Sequence, residues 1–333
     1  LLGITMGDPA GIGPEVIAKA LAGTTLRRIC SPLVIGSHEV MQQTVKQLKL
    51  KLSVRAVEGH EDPAGGAGEI VVLDPLERPL RAVQQGIARP ETGAASVAFI
   101  KKAVHLAQTG CIEGMVTGPI NKEAINLAGC HYPGHTELLA DLTEAQESGM
   151  MIIGGPLKIM FVTTHVAIKE LPSLLTQAKI EKGIRLTHMA LTTLFGVKRP
   201  RIGIAALNPH AGEQGLFGDE EARVILPAAR AAQVNGILAS DPMPADTLFG
   251  KAARGDYDAV VALYHDQGLI PLKMVAFGRC VNLTIGLPII RTSVDHGTAF
   301  DIVGKGIADP GSLIEAVKLA AKLAQRRPAH ALQ

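Results

Sequence analysis

Three histidines carry the clearest chemistry in this sequence, because each follows an apolar run of strand length. His165 comes after Leu157–Thr163, His210 after Arg201–Leu207, and His265 after Ala259–Leu263. No short metal motif joins them. What joins them is context: consecutive exits from a parallel sheet fall on one edge, where open α/β sheets place their ligands. Three converging imidazoles suit Zn²⁺, with Co²⁺, Ni²⁺, Mn²⁺ or Mg²⁺ as alternatives set by availability, and substrate oxygens would complete the shell. Asp246 and Asp266 suit the orientation of an imidazole, the acceptance of a proton, or the capping of a turn. Each histidine taken alone equally suits a hydrogen-bonded loop.

A second group would hold an anion. Lys273, Asn282 and Arg291 follow at loop-like spacing, and two cations with an amide suit a phosphate or a carboxylate. Gly134-His135-Thr136-Glu137 reads as a helix start, where Thr136 caps the helix or donates with His135 to the same anion. Near the N-terminus, Leu1–Met6 reads as a strand and Gly7-Asp8-Pro9-Ala10-Gly11-Ile12-Gly13-Pro14-Glu15 as the turn into a helix. That turn suits an anion at a helix N-terminus and equally a tight strand-to-helix connection. It is not G-x-G-x-x-G, so no conventional dinucleotide fold is expected from it.

The elements that must position these residues alternate. Strands are expected at Leu33–Gly36, Leu52–Val57, Glu69–Leu73 and Gly114–Thr117, and helices at Thr92–Gln108, Thr176–Phe195, Asp219–Ala232 and Ser312–Leu323. Met150–Gly154 and Leu157–Thr163 read as a hairpin pair. Alternating strands and helices imply an α/β fold with a largely parallel sheet covered on both faces. The 333 residues, 47% apolar, favour two domains. A boundary is expected near Gly129–Pro133, which places 1–130 with 300–333 in one domain and 131–299 in the other.

Composition excludes several classes. A net charge of +2, no long Lys/Arg block and only 3% aromatics argue against a nucleic-acid partner. No apolar run reaches the length of a membrane span, and no signal peptide is visible. The four cysteines are scattered without C-x-x-C and read as reduced thiols of a cytoplasmic protein.

The ordered motifs GDPAGIGPE, GPINK, GHTE, TTH, LNPHAGE, PADT, YHDQGL and LPIIRTSVDHGTA resemble the 4-hydroxythreonine-4-phosphate dehydrogenases of vitamin B6 synthesis. The match covers nearly the whole chain. The resemblance implies two α/β/α domains with an interdomain cleft, as in isocitrate and isopropylmalate dehydrogenases. It implies His165, His210 and His265 as ligands of a divalent metal, one of them contributed across a homodimer interface. It implies His135, Thr136, Lys273, Asn282 and Arg291 as contacts of a small phosphorylated substrate. The stretch from His296 to Gly306 also resembles the adenosine-binding loop of those decarboxylating dehydrogenases. By that resemblance Asp295, His296, Gly297, Thr298 and Asp301 hold NAD, with the Asp301 carboxylate accepting ribose hydroxyls and repelling a 2′-phosphate. Phe300 stands where those relatives carry proline. The implied reaction is NAD- and metal-dependent oxidation and decarboxylation of 4-hydroxy-L-threonine 4-phosphate to 3-amino-2-oxopropyl phosphate. Tyr132-Pro133 and Gly215-Leu216-Phe217-Gly218 look more like a branch acting on D-threonate or D-erythronate 4-phosphate, giving dihydroxyacetone phosphate and CO₂. From other classes, a metal-dependent phosphatase or a phospholigand-binding protein would use the same histidines, aspartates and cations.

Overall fold

The computed structural model describes residues 1–58, 65–80 and 82–326. In chain order its elements are β1 (Leu2–Thr5), α1 (Gly13–Ala22), β2 (Pro32–Ile35), α2 (His38–Gln47), β3 (Ser53–Val57), β4 (Glu69–Leu73), α3 (Pro90–Gln108), β5 (Gly114–Thr117), α4 (Lys122–Leu127) and α5 (His135–Leu142). There follow β6 (Gly149–Gly154), β7 (Leu157–Phe161), α6 (Leu171–Leu174), α7 (Gln177–Thr193), β8 (Arg201–Ala205), α8 (Leu226–Val234), β9 (Leu238–Met243) and α9 (Ala245–Ala253). The chain closes with β10 (Ala259–Ala262), α10 (His265–Ala276), β11 (Val281–Ile285), β12 (Arg291–Val294) and α11 (Gly311–Ala324).

The local causes are ordinary. β1, β2, β5 and β10 are buried at every position, as strands covered on both faces must be. Ser37, Asn121 and Thr176 cap α2, α4 and α7 by accepting the amides of Val40, Ala124 and Lys179. Proline opens α1, α3 and α8, where its missing N–H leaves no bond unmade.

The chain divides into two compact units: Leu1–Gln146 with Leu287–Gln333, and Glu147–Gly286. These boundaries differ from the expected ones. The first unit keeps α5, which packs on α3, and regains the chain before β12, which pairs with β5. His135, Thr136, Arg291 and residues 295–299 therefore lie in the first unit, not the second. Residues 327–333, the end of the expected C-terminal return, lie outside the described residues.

In the first unit the strand order is β3-β4-β2-β1-β5-β12, every pair parallel. The exits of β1, β5 and β12 thus share one edge, and they lead into GDPAGIGPE, GPINK and SVDHGTA. In the second unit the order is β11-β6-β7-β10-β8-β9. The β11-β6 and β6-β7 pairs are antiparallel, and β7-β10-β8-β9 run parallel. Ile152, Ile159, Phe161, Leu248, Val260, Leu269 and Leu272 form its core, each burial worth roughly 1.5–3 kcal/mol. The protein is accordingly α/β with mostly parallel strands.

The close approach of α3 to α4 depends on glycine. At Gly93, where α3 meets α4, a Cβ would sit inside the carbonyl of Ala124, a backbone group that cannot move aside. Gly23 after α1 has open space around it. Gly93→Ala is expected to lower unfolding stability by about 3 kcal/mol. Gly23→Ala is expected to stay within about 0.5 kcal/mol of the parent. Urea unfolding followed by circular dichroism checks both.

Candidate active site

In the second unit β7, β10 and β8 are adjacent and parallel, so their exits meet on one edge. His165 lies in the loop after β7, and His265 is the first residue of α10. Their ring centroids are 5.7 Å apart and the planes tilt by 44°. Asp266 Oδ1 lies 2.6 Å from His265 Nδ1. A carboxylate that holds Nδ1–H leaves Nε2 as the free lone pair, the arrangement that orients imidazoles toward a cation. The pair lines a cleft of about 200 Å³ with Thr164, Val166, Ile168, Leu171 and Tyr264.

His210 does not join them within one chain. After β8, Ala206 donates to Met243 of β9, and the chain then turns through left-handed backbone from His210 to Gln214. The His210 ring is exposed and sits 6.4 Å from the Phe217 ring. Among the described residues no group of three His, Cys, Asp or Glu is placed to hold a metal ion. The donor chemistry nevertheless fits a divalent cation: two neighbouring imidazoles, one of them held by a carboxylate, lack only a third donor. Asp246 is exposed at the start of α9 and accepts the Thr247 amide at 2.8 Å, which is the turn-capping role.

The β8 exit is held by a residue of the helix expected at Asp219–Ala232 that the sequence did not mark as part of a site. Buried Glu221 accepts the amides of Leu207 and Asn208 at 2.8 and 2.7 Å, and the Asn208 side-chain amide at 3.0 Å. Its only signal in the sequence was membership of an acidic helix start.

The first unit gathers a cationic site. Arg291 opens β12 and is 1% exposed, with Nε and Nη2 donating to Thr117 Oγ1 at 3.2 and 2.7 Å. Burial pushes its guanidinium down to about 9, against the attraction of Glu137. His135 opens α5 with Thr136 behind it. The residue as a whole is half-buried, but its Nε2 is sealed from solvent without a hydrogen-bond partner. Burial, and then the charge of Arg291, hold the imidazole well below the usual histidine range, so it is neutral. Lys273 and Asn282 belong to the second unit. Lys273 is exposed on α10, and Asn282 lies on β11 with a sealed Oδ1 that accepts no hydrogen bond. None of the three residues read as loop-borne is on a loop: they sit on a helix and two strands.

Beyond β12, Asp295 and His296 are half-buried, Thr298 is buried, and Gly297 and Asp301 are exposed. The Asp295 amide donates to Ser312 Oγ, and His296 Nδ1 faces the Gly297 carbonyl at 3.0 Å. Thr298 O accepts the Ile12 amide at 3.0 Å, and Lys19 binds the carbonyls of Gly306 and Ala308 at 2.8 Å. The GDPAGIG turn therefore packs against this loop, and Gly11 lets Thr298 approach. Asp8, buried in that turn, accepts the Ala10 amide at 2.8 Å. Burial raises its carboxyl above the usual range, countered by hydrogen bonds from Ala10 and Thr92.

The family model described as Pyridoxal phosphate biosynthetic protein PdxA matches residues 28–320. The chain belongs to the PdxA family. It is 50% identical over 321 residues to a 4-hydroxythreonine-4-phosphate dehydrogenase of Desulfosudis oleivorans, covering 96% of this chain and 95% of that one. It is 44% identical over 336 residues to a D-threonate 4-phosphate dehydrogenase of Cupriavidus necator, with 98% of both covered. The crystal structure of a 4-hydroxythreonine-4-phosphate dehydrogenase from Klebsiella pneumoniae superposes with a TM-score of 0.89 at 40% identity, over 98% of this chain and 99% of that one. Among the described residues of this PdxA-family chain, no helix is long and apolar enough to cross a membrane.

The neutral state of His135 has a measurable consequence. Its folded pKa lies below its unfolded value near 6.5, so the unfolded chain binds the extra proton. The stability it contributes is complete above that value and is lost as pH falls below it, at up to about 1.4 kcal/mol per pH unit. Urea unfolding between pH 7.5 and about 5 should therefore fall less steeply for His135→Asn than for the parent.

Proposed function

We propose that this PdxA-family chain is an NAD- and divalent-metal-dependent dehydrogenase that oxidises and decarboxylates a four-carbon hydroxy acid 4-phosphate. The substrate proposed first is 4-hydroxy-L-threonine 4-phosphate, giving 3-amino-2-oxopropyl phosphate. The observation that carries the reading is the His165–His265 pair with Asp266 on His265 Nδ1. His165, His210 and His265 would hold the cation, which when bound supplies a Lewis acid that lowers the pKa of the substrate hydroxyl and stabilises enolate charge. Asp295, His296, Gly297, Thr298 and Asp301 would hold NAD⁺, which when bound supplies the hydride acceptor.

The chain's own residues do the rest. Arg291 and Lys273 balance the negative ends of the substrate, and Asn282, Thr136 and neutral His135 supply hydrogen bonds. Asp246 or Asp266 takes the hydroxyl proton as the carbonyl forms. The resulting β-keto acid then releases CO₂, leaving the phosphorylated ketone. Asp266 Oδ1 also orients the His265 ring through its bond to Nδ1.

A homodimer supplies the third imidazole in this reading. Ile270, Met274 and Phe277 lie 60%, 82% and 82% exposed along α10, the helix that begins at His265. An apolar stripe on that element supports a second copy packing there, and in this reading the third ligand, His210, comes across that interface. The D-threonate 4-phosphate branch is the second reading, supported by relatives of that name at 44% identity. It changes an amine for a hydroxyl and leaves the metal and phosphate residues their roles.

NADH absorbance with 4-hydroxy-L-threonine, D-threonate and D-erythronate 4-phosphates, each with and without chelator, tests the proposal. Turnover should require NAD⁺, vanish with chelator, and fall by at least about 100-fold in His265→Ala. Phosphate release without nucleotide, or NADH formation that ignores the chelator, would overturn it.

A further inference from the structure

The exits of β7, β10 and β8 are tied together at one peptide. Leu263, wholly buried, follows β10 and precedes His265. Its carbonyl accepts both the amide and the hydroxyl of Thr163, at 3.2 and 2.7 Å, two residues before His165. Its amide donates at 2.7 Å to Oε1 of Gln267, in the first turn of α10. The same side chain donates through Nε2 to Ala206 O at 2.6 Å, on the stretch that leads to His210. Gln267 is 8% exposed and Thr163 9% exposed, so these bonds are made out of water.

The ladder explains why a side chain is needed. The β10–β8 register ends at Val261 opposite Ile204. Beyond it the two strands no longer pair, and Ala206 turns its amide to β9. The Leu263 N–H and the Ala206 C=O would be left as buried, unmade bonds at about 1–3 kcal/mol each. A primary amide alone offers one acceptor and one donor in the geometry that spans the gap. Glutamate would face Ala206 O with oxygen, and methionine would satisfy neither group.

We infer that Gln267, acting through Leu263 and Ala206 with Thr163 on the other side, is a positioning residue that sets the spacing of the three histidine-bearing loops. The inference rests on the reading that His165, His210 and His265 serve one kind of cation site. Gln267 touches no reacting atom. Its work is to hold the β10 and β8 exits in a single frame, so that His165 and His265 present fixed geometry to a cation and the loop bearing His210 keeps a fixed aim toward a second copy's pair.

The test is Co²⁺ binding to the metal-stripped full-length protein, followed by its visible absorption. Gln267→Met and the near-isosteric Gln267→Glu are compared with Ile35→Ala, a core truncation in β2 of the first unit. The Glu variant keeps the measurement available if the Met variant does not fold. Both Gln267 variants should fold by circular dichroism, bind Co²⁺ about 10–100-fold more weakly and show an altered visible spectrum. Ile35→Ala should lose stability while binding Co²⁺ as the parent does. Parent-like affinity and spectrum in a folded Gln267 variant overturn the inference alone, as does equal weakening in Ile35→Ala. A parent protein that takes up no Co²⁺ removes the cation reading and this inference together.

Discussion

Where a parallel ladder stops, its last peptide groups need new partners, and meeting that demand builds the site. At Leu263 the amide and the carbonyl are claimed by side chains from two directions, one from α10 and one from the β7 exit. At Leu207 and Asn208 the amides are claimed by buried Glu221. Strand exits in an open α/β sheet are also where ligands bind. The groups that terminate the ladder thus become the support of residues one or two positions further on. Fold completion and site construction are one set of hydrogen bonds here.

The first unit solves the same problem by close packing of backbone. Its three exits meet through peptide contacts: the Asp8 amide donates to Pro119 O at 2.8 Å, and the Ile12 amide to Thr298 O. Gly7, at φ +74, stands where a side chain would collide with the Gly118-Pro119 backbone. The glycines of GDPAGIG therefore serve chain-on-chain approach, the tight-connection reading of that motif. An anion at the start of α1 would have to share that space with Thr298, because Gly11 and Ile12 already lie against it.

The sequence made the strand-borne part of this legible and hid the rest for identifiable reasons. Apolar runs such as Ala259–Leu263 and Gly114–Thr117 announce buried strands, so the location of His165, His210 and His265 at strand exits could be read directly. α10 could not, because Pro271 stands inside it and removes the amide that would bond to the Gln267 carbonyl. Without that helix, Lys273 looked like a loop residue. β12 was hidden because it starts with a charged residue, whose burial is offset by long-range hydrogen bonds such as those to Thr117 that local sequence does not show. The unit boundaries followed from β12 pairing with β5, a long-range contact that local composition does not encode. His210 failed to converge with the other two for a related reason: five left-handed residues in sequence, four of them not glycine, are a conformation no propensity argument would choose.

The two groups of site residues differ in what their energetics can accomplish. In the proposed reaction a buried guanidinium and a neutral imidazole would meet charge and hydrogen bonds that the substrate carries before, during and after oxidation. Binding of that kind is nearly uniform along the reaction, so it concentrates and orients the substrate without lowering the chemical barrier. Neutrality of His135 matters in that setting: a second buried cation beside Arg291 would cost more than a phosphate or carboxylate could return, whereas a neutral ring still donates one N–H. In the same proposed reaction the imidazole pair, through its cation, would bear on charge that develops only as the hydroxyl proton leaves. Small errors in its placement therefore fall on the transition state, while errors around Arg291 fall on ground state and transition state alike. That asymmetry matches where rigidity is invested: the His265 and His165 loops spring from a peptide tied on both sides, whereas Arg291 is held on a strand with the Thr117 hydroxyl among its partners.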